Sequence, residues 1–96
     1  MTTREHALYC RAIDLWGKSA QFCQAMEECG ELISALNKHL RHGNNRANLV
    51  DEMVDVTIMI EQVRMMIGCT DDDFEEAKRL KLIEFNDAVT LLEGKG

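Results

Sequence analysis

Residues 46–67 constrain the fold more than any other part of this sequence. Over these positions there is no glycine or proline, and Leu49, Val50, Met53, Val54, Val56, Ile58, Met59, Ile60, Val63, Met65, Met66 and Ile67 leave almost no polar side. A segment that is apolar nearly all round has to be covered on several sides, so it belongs between other helices of its own chain or of a partner chain. Its β-branched content would also suit a strand. The run is far longer than usual strands, however, and carries no internal turn signal, so a helix is expected. Asp55, Glu61, Gln62 and Arg64 interrupt it and exclude a membrane span.

The rest of the chain is equally suited to helices, since 96 residues contain no proline. A first helix is expected over residues 3–16, with Ala7, Leu8, Ala12, Leu15 and Trp16 marking its apolar side. Gly17-Lys18-Ser19 breaks it, and Ser19 is the expected N-cap of the next helix. Over residues 20–41, Phe22, Met26, Cys29, Ile33, Leu36 and Leu40 step by four, three, four, three and four, which is a bundle-type packing seam. Lys38, His39, Arg41 and His42 suit the negative end of that helix, Gly43 offers a left-handed cap, and Asn44-Asn45 continue the turn. Gly68 and Cys69 end the apolar helix. Thr70 then caps a fourth, whose Asp71, Asp72 and Asp73 favour its positive end and whose apolar positions include Phe74, Leu80, Ile83, Val89 and Leu92.

Four helices joined by short turns predict an all-α fold, an antiparallel four-helix bundle, as a single domain over residues 1–96. A chain this short buries only about 60–65% of its unfolded surface and tends to need a staple or a partner subunit.

The formal net charge is −6, with no basic stripe interleaved with aromatics, which argues against a nucleic-acid polymer as partner. A small polyanion can still bind if metal ions stand between the two sets of negative charge. Cys10, Cys23, Cys29 and Cys69 form no CxxC pair and read as buried free thiols in a reducing compartment. The polar start Met1-Thr2-Thr3-Arg4-Glu5-His6 lacks a signal-peptide apolar core, so a cytoplasmic location without membrane attachment is expected.

Two acidic clusters carry the chemistry. Glu27-Glu28-Cys29-Gly30-Glu31 lies in the second helix and Glu52-Met53-Val54-Asp55 in the third. At 100° per residue, Glu28 and Glu31 lie about 60° apart, and Glu52 and Asp55 repeat that spacing. Each helix thus offers an adjacent carboxylate pair. Hard divalent cations take oxygen ligands of this type, and Mg²⁺ adds waters and phosphate oxygens. Acidic pairs at this spacing are also common on solvated helix faces, which is the simpler reading of Glu27, Glu28 and Glu31 taken alone. Glu52 and Asp55 are harder to explain so, because they interrupt an apolar helix. Uncompensated buried carboxylates cost several kcal/mol each, and two unit charges about 5 Å apart repel by roughly 3 kcal/mol at an effective dielectric near 20. A bound cation is the simplest compensation.

Glu27-Glu28-x-x-Glu31, followed after 20 residues by Glu52-x-x-Asp55, resembles the EExxE…ExxD signature of the all-α nucleoside triphosphate pyrophosphohydrolases, which include MazG and the dimeric dUTPases. The surrounding Gln21-Phe22-Cys23-Gln24, Glu31-Leu32 and Asp51-Glu52-x-x-Asp55-Val56 are similar too, and the likeness runs from about residue 16 to residue 81, closest to short single-domain MazG-like proteins. The resemblance implies Mg²⁺, or Mn²⁺ in its place, held by Glu28, Glu31, Glu52 and Asp55, with Glu27 orienting water. It implies hydrolysis of (d)NTPs to the monophosphate and pyrophosphate by a homodimer or homotetramer, with Glu27 or Glu31 accepting the proton. A later helix holds the phosphates in this family, which points to Lys78, Lys81 and Asn86. A solvated basic face pairing with Glu75 and Glu84 explains those lysines equally well, and Ile83-Glu84-Phe85-Asn86-Asp87 departs from the family's basic tail. Trp16, Gln21 and Gln24 are candidates for the base and sugar pocket, although core packing suits Trp16 better than base stacking. His39 and His42 are better explained by the helix end than by a metal. Met53, Met59, Met65 and Met66 are expected to fill the core.

Two other classes compete. A diiron carboxylate bundle needs an ExxH pair, and neither Glu28 nor Glu52 has a histidine three residues on. A catalytically inactive helical protein that binds nucleotide, or serves as an oligomeric interaction module, would keep the same helices.

Overall fold

Thr2 and Glu5 set the start of the first helix. In a computed structural model describing residues 1–95, the Thr2 hydroxyl accepts from the Glu5 amide at 3.1 Å while the Thr2 amide donates to the Glu5 carboxylate at 2.6 Å. This reciprocal capping box was legible in Thr2-x-x-Glu5 and is absent from the expectations above. The chain is all-helical, with α1 (Thr3–Trp16), α2 (Lys18–His42), α3 (Arg46–Met66) and α4 (Asp71–Glu93), and no strand among the described residues.

Ser19 is not the cap of α2. Gly17, at φ 90°, occupies the junction, and α2 starts at Lys18 with Ser19 already inside the helix. A glycine can adopt that φ without the steric cost a side chain brings, so the break closes two residues sooner than a Ser19 cap would allow. Gly43 ends α2 at φ 66° as expected in sign, but its ψ of −156° lies outside the left-handed helical well, in a region open to glycine. Asn45 then clamps the turn. It is buried, donates to the Ala35 carbonyl at 3.0 Å, and accepts from His39 Nδ1 at 2.9 Å.

Packing is concentrated between the antiparallel α2 and α3, with α1 held against α2. The stripe of α2 that faces α3 is Gln21, Ala25, Glu28, Leu32 and Ala35, all buried or half-buried. The apolar seam Phe22, Met26, Cys29, Ile33, Leu36 and Leu40 sits one residue on, hence about 100° round the helix. It faces outward, with Met26 66%, Ile33 63% and Leu40 85% exposed. On α3, Leu49, Glu52, Val56 and Met59 turn towards α2, while Val50, Met53, Val54, Ile58 and Ile60 stay exposed. Of the four methionines expected in the core, Met59 alone is buried, Met65 and Met66 are half-buried, and Met53 is exposed because it lies on that second face.

α1 is tied down by polar contacts. Tyr9 is buried and its hydroxyl donates to Glu61 Oε2 at 2.9 Å; burial, then that carboxylate, push the Tyr9 pKa up to about 12. α4 begins with a Thr70–Asp73 capping box and an Arg64–Asp71 ion pair, with the Arg64 guanidinium 4.2 Å from the centre of the Phe74 ring. Beyond that anchor α4 buries no residue, and Leu80, Leu82, Ile83, Phe85, Leu91 and Leu92 stay exposed. The four cysteines are free, as expected. They are not buried, however: Cys10, Cys23 and Cys29 are exposed, Cys29 because it lies on the uncovered seam. No described helix is long and apolar enough to cross a membrane.

Candidate metal centre

Glu28 on the inward stripe of α2, Glu52 on that of α3 and the exposed Glu31 at the edge of α2 come together. One carboxylate oxygen from each lies within 4.8 Å of the others. Glu28 Oε1 accepts from Gln24 Nε2 at 2.8 Å, one turn earlier on α2, which fixes the orientation of the Glu28 carboxylate. The remaining oxygen, Glu28 Oε2, is buried without a hydrogen-bond donor, and so is Glu52 Oε2. Neither Glu28 nor Glu52 forms an ion pair among the described residues.

Buried carboxylate oxygens lacking both donor and countercharge are uncommon, because each forfeits its hydration without replacement. Two such groups, one from each helix and with the exposed Glu31 carboxylate beside them, make a set of hard oxygen donors without a countercharge among the described residues. A divalent cation fits that set, since Mg²⁺ takes a few carboxylates and completes its shell with water and phosphate oxygens.

Asp55 stands outside the 4.8 Å group and is exposed, although it lies one turn beyond Glu52 on α3. Glu27 is also exposed on α2, outside the group. Gln21, a candidate for the base and sugar pocket, is buried and its amide donates to Gln62 Oε1 at 2.7 Å, which ties α2 to α3. Trp16, expected to favour the core, is 63% exposed at the end of α1, where no later described segment covers it. Lys78, Lys81 and Asn86 are exposed on α4, which meets α3 through Asp71 and Phe74 of its first turn; Lys81 lies 3.6 Å from Glu84, the solvated pairing already noted.

An open groove of about 300 Å³ leads away from the acids, lined by Glu31, Ser34, Ala35, Lys38, Asn48 and Glu52. Ser34 and Asn48 went unremarked in the sequence, and Lys38 stood there only as a helix-end cation. Their signal was positional: Lys38 follows Glu31 by seven residues and Asn48 precedes Glu52 by four, so each shares a helix face with an acid.

The neighbouring Glu28 carboxylate, then burial and Glu52, raise the Glu31 pKa above its ordinary 4.5. A raised folded-state pKa means stability that is present below pH 4.5 and lost as pH climbs through the higher folded value. The melting temperature of the metal-free protein should therefore fall across that window, and Glu31→Gln should flatten the fall. Above the window Mg²⁺ should restore the loss. A metal-free melting curve indifferent to pH, unchanged by Mg²⁺ between about pH 5 and about pH 8, would show that the three acids are not in electrostatic contact.

Fold and site together define a class: an all-helical chain whose two central helices converge three glutamates on one point. No known protein family, curated protein or solved structure matches the chain.

Proposed function

We propose that this chain is a MazG-like nucleoside triphosphate pyrophosphohydrolase, splitting (d)NTPs into the monophosphate and pyrophosphate with Mg²⁺, or Mn²⁺ in its place. One observation carries the reading: Glu28 Oε2 and Glu52 Oε2 are buried and partnerless beside Glu31, in a group of acids whose sequence spacing resembles that family's signature.

In this reading Glu28, Glu31 and Glu52 hold the metal, and Asp55 joins them from the open side of α3. When bound, the ion offsets triphosphate charge and makes water a better nucleophile. Gln24 keeps the Glu28 carboxylate in place through its 2.8 Å hydrogen bond. Glu31 or the exposed Glu27 accepts the proton of the attacking water. Trp16, exposed on α1, is available to stack on a base. The same reading takes the protein as a homodimer or homotetramer, supported by the uncovered apolar faces of α2, α3 and α4. Free cysteines fit a reducing, cytoplasmic setting.

A panel of (d)NTPs incubated with and without Mg²⁺ tests the activity. Pyrophosphate and the matching monophosphate should be released, only with metal, and orthophosphate should not appear. Metal-dependent nucleotide binding without turnover would instead mark an inactive binding protein, and neither binding nor turnover an interaction module with incidental acids.

A further inference from the structure

We infer that Lys38 on α2 is the phosphate-gripping cation of this site, taking the end of a metal-bound polyphosphate that extends away from the three glutamates. The inference rests on the metal reading above and names the group that recognises the substrate's phosphates.

Glu31 and Lys38 are seven residues apart on one helix, about 10 Å along its axis and only about 20° apart around it. They line the same open groove, with Ser34 between them on α2 and Asn48 on the facing α3. The groove is therefore acidic at one end and cationic at the other. A metal–polyphosphate presents the complementary pattern, a cation held at one point and a chain of anionic groups running on from it. Lys38 also stands at a junction, because a second groove, lined by Ser34, Asn37, Lys38, Arg41 and His42, continues along α2. Positive side chains thus extend beyond Lys38 in the direction the groove takes. The end of α2 carries the negative pole of the helix, so an anion there has to be held by these side chains and gains nothing from the backbone.

Lys38 is uncommitted. It is exposed and forms no ion pair among the described residues, whereas Lys81 on α4 lies 3.6 Å from Glu84. A lysine serves phosphate as a mobile point charge, and its long stem spans part of the distance back towards the acids.

Calorimetric titration separates the possibilities, first with Mg²⁺ alone and then with pyrophosphate in saturating Mg²⁺. Lys38→Ala should weaken pyrophosphate binding roughly tenfold or more, as expected for a lost charge-assisted bond, while Mg²⁺ affinity stays within about twofold and the melting temperature is unchanged. Lys38→Arg should recover most of the loss. Unchanged pyrophosphate affinity in Lys38→Ala overturns the assignment and leaves the metal site standing. A parallel loss of Mg²⁺ affinity also overturns it, because Lys38 would then act on the acids and not on phosphate. Absence of Mg²⁺ binding by the wild-type protein defeats the metal reading itself, and this assignment with it.

Discussion

Glu52→Gln should abolish pyrophosphate release while leaving the metal-free protein as stable as wild type or more stable. The two halves of this outcome come from the same geometry. Glu52 Oε2 is buried with no donor, in a group where Glu28 and Glu31 present oxygens within 4.8 Å. Replacing the carboxylate with an amide removes one negative charge and introduces an N–H where only acceptors converge, so repulsion falls and an orphaned oxygen gains a donor. The same change deletes a metal ligand. Losing even an outer partner of a ligand costs about 10–100-fold in metal affinity or activity, so losing the ligand should exceed about a hundredfold in turnover. Thermal melts without metal, Mg²⁺ titration and pyrophosphate release on one preparation give all three readouts. A Glu52→Gln protein that melts well below wild type would mean that Glu52 holds the fold together. One that turns over at near wild-type rate would remove the metal site from the mechanism.

Much of this site was legible because helix geometry is regular. The spacing of Glu28, Glu31 and Glu52, and the oddity of an acid in an apolar helix, were enough to bring those three to one place between α2 and α3. The four-helix layout followed from Gly17, Gly43, Gly68 and Thr70, which punctuate a chain without proline. Helix-face arithmetic gives a direction, however, and not what lies opposite. Gln21 does share its face with Gln24 and Glu28, but that face meets Gln62 across the α2–α3 contact, and only the register of the two helices reveals this. Asp55 shows the same gap, since its i, i+3 spacing from Glu52 is right while the group of closest approach stops at Glu52. The apolar seam of α2 is the most instructive case. Its periodicity is real, yet α3 packs against the adjacent stripe, which is poorer in large apolar side chains and contains Ala25, Glu28 and Ala35. The strongest periodic signal in the chain marks a surface that the chain itself leaves open.

That open seam leads to an expected result on assembly: the wild-type protein should sediment as a dimer or tetramer at micromolar concentration, and Ile33→Lys with Leu40→Lys should reduce it to monomer. Within one chain only Tyr9, Ala35 and Met59 are apolar and buried among the described residues, and none of them completely. So few cannot offset the ordering entropy of a domain this size, which runs to about 1–2 kcal/mol per residue for the backbone alone. A second copy of the same chain is the natural cover, because α4 offers an uncovered apolar helix of matching character and buries nothing at home. Each large apolar side chain removed from water contributes about 1.5–3 kcal/mol, so charging two of them should weaken association by about a hundredfold or more. The substitutions are mild for α2 itself, since lysine is a good helix former and Leu40 lies in the last turn, where a positive charge is favoured. Loss of helicity on dissociation would show that folding and assembly are one step. A wild-type chain that stays monomeric and fully folded at high concentration would refute the assembly.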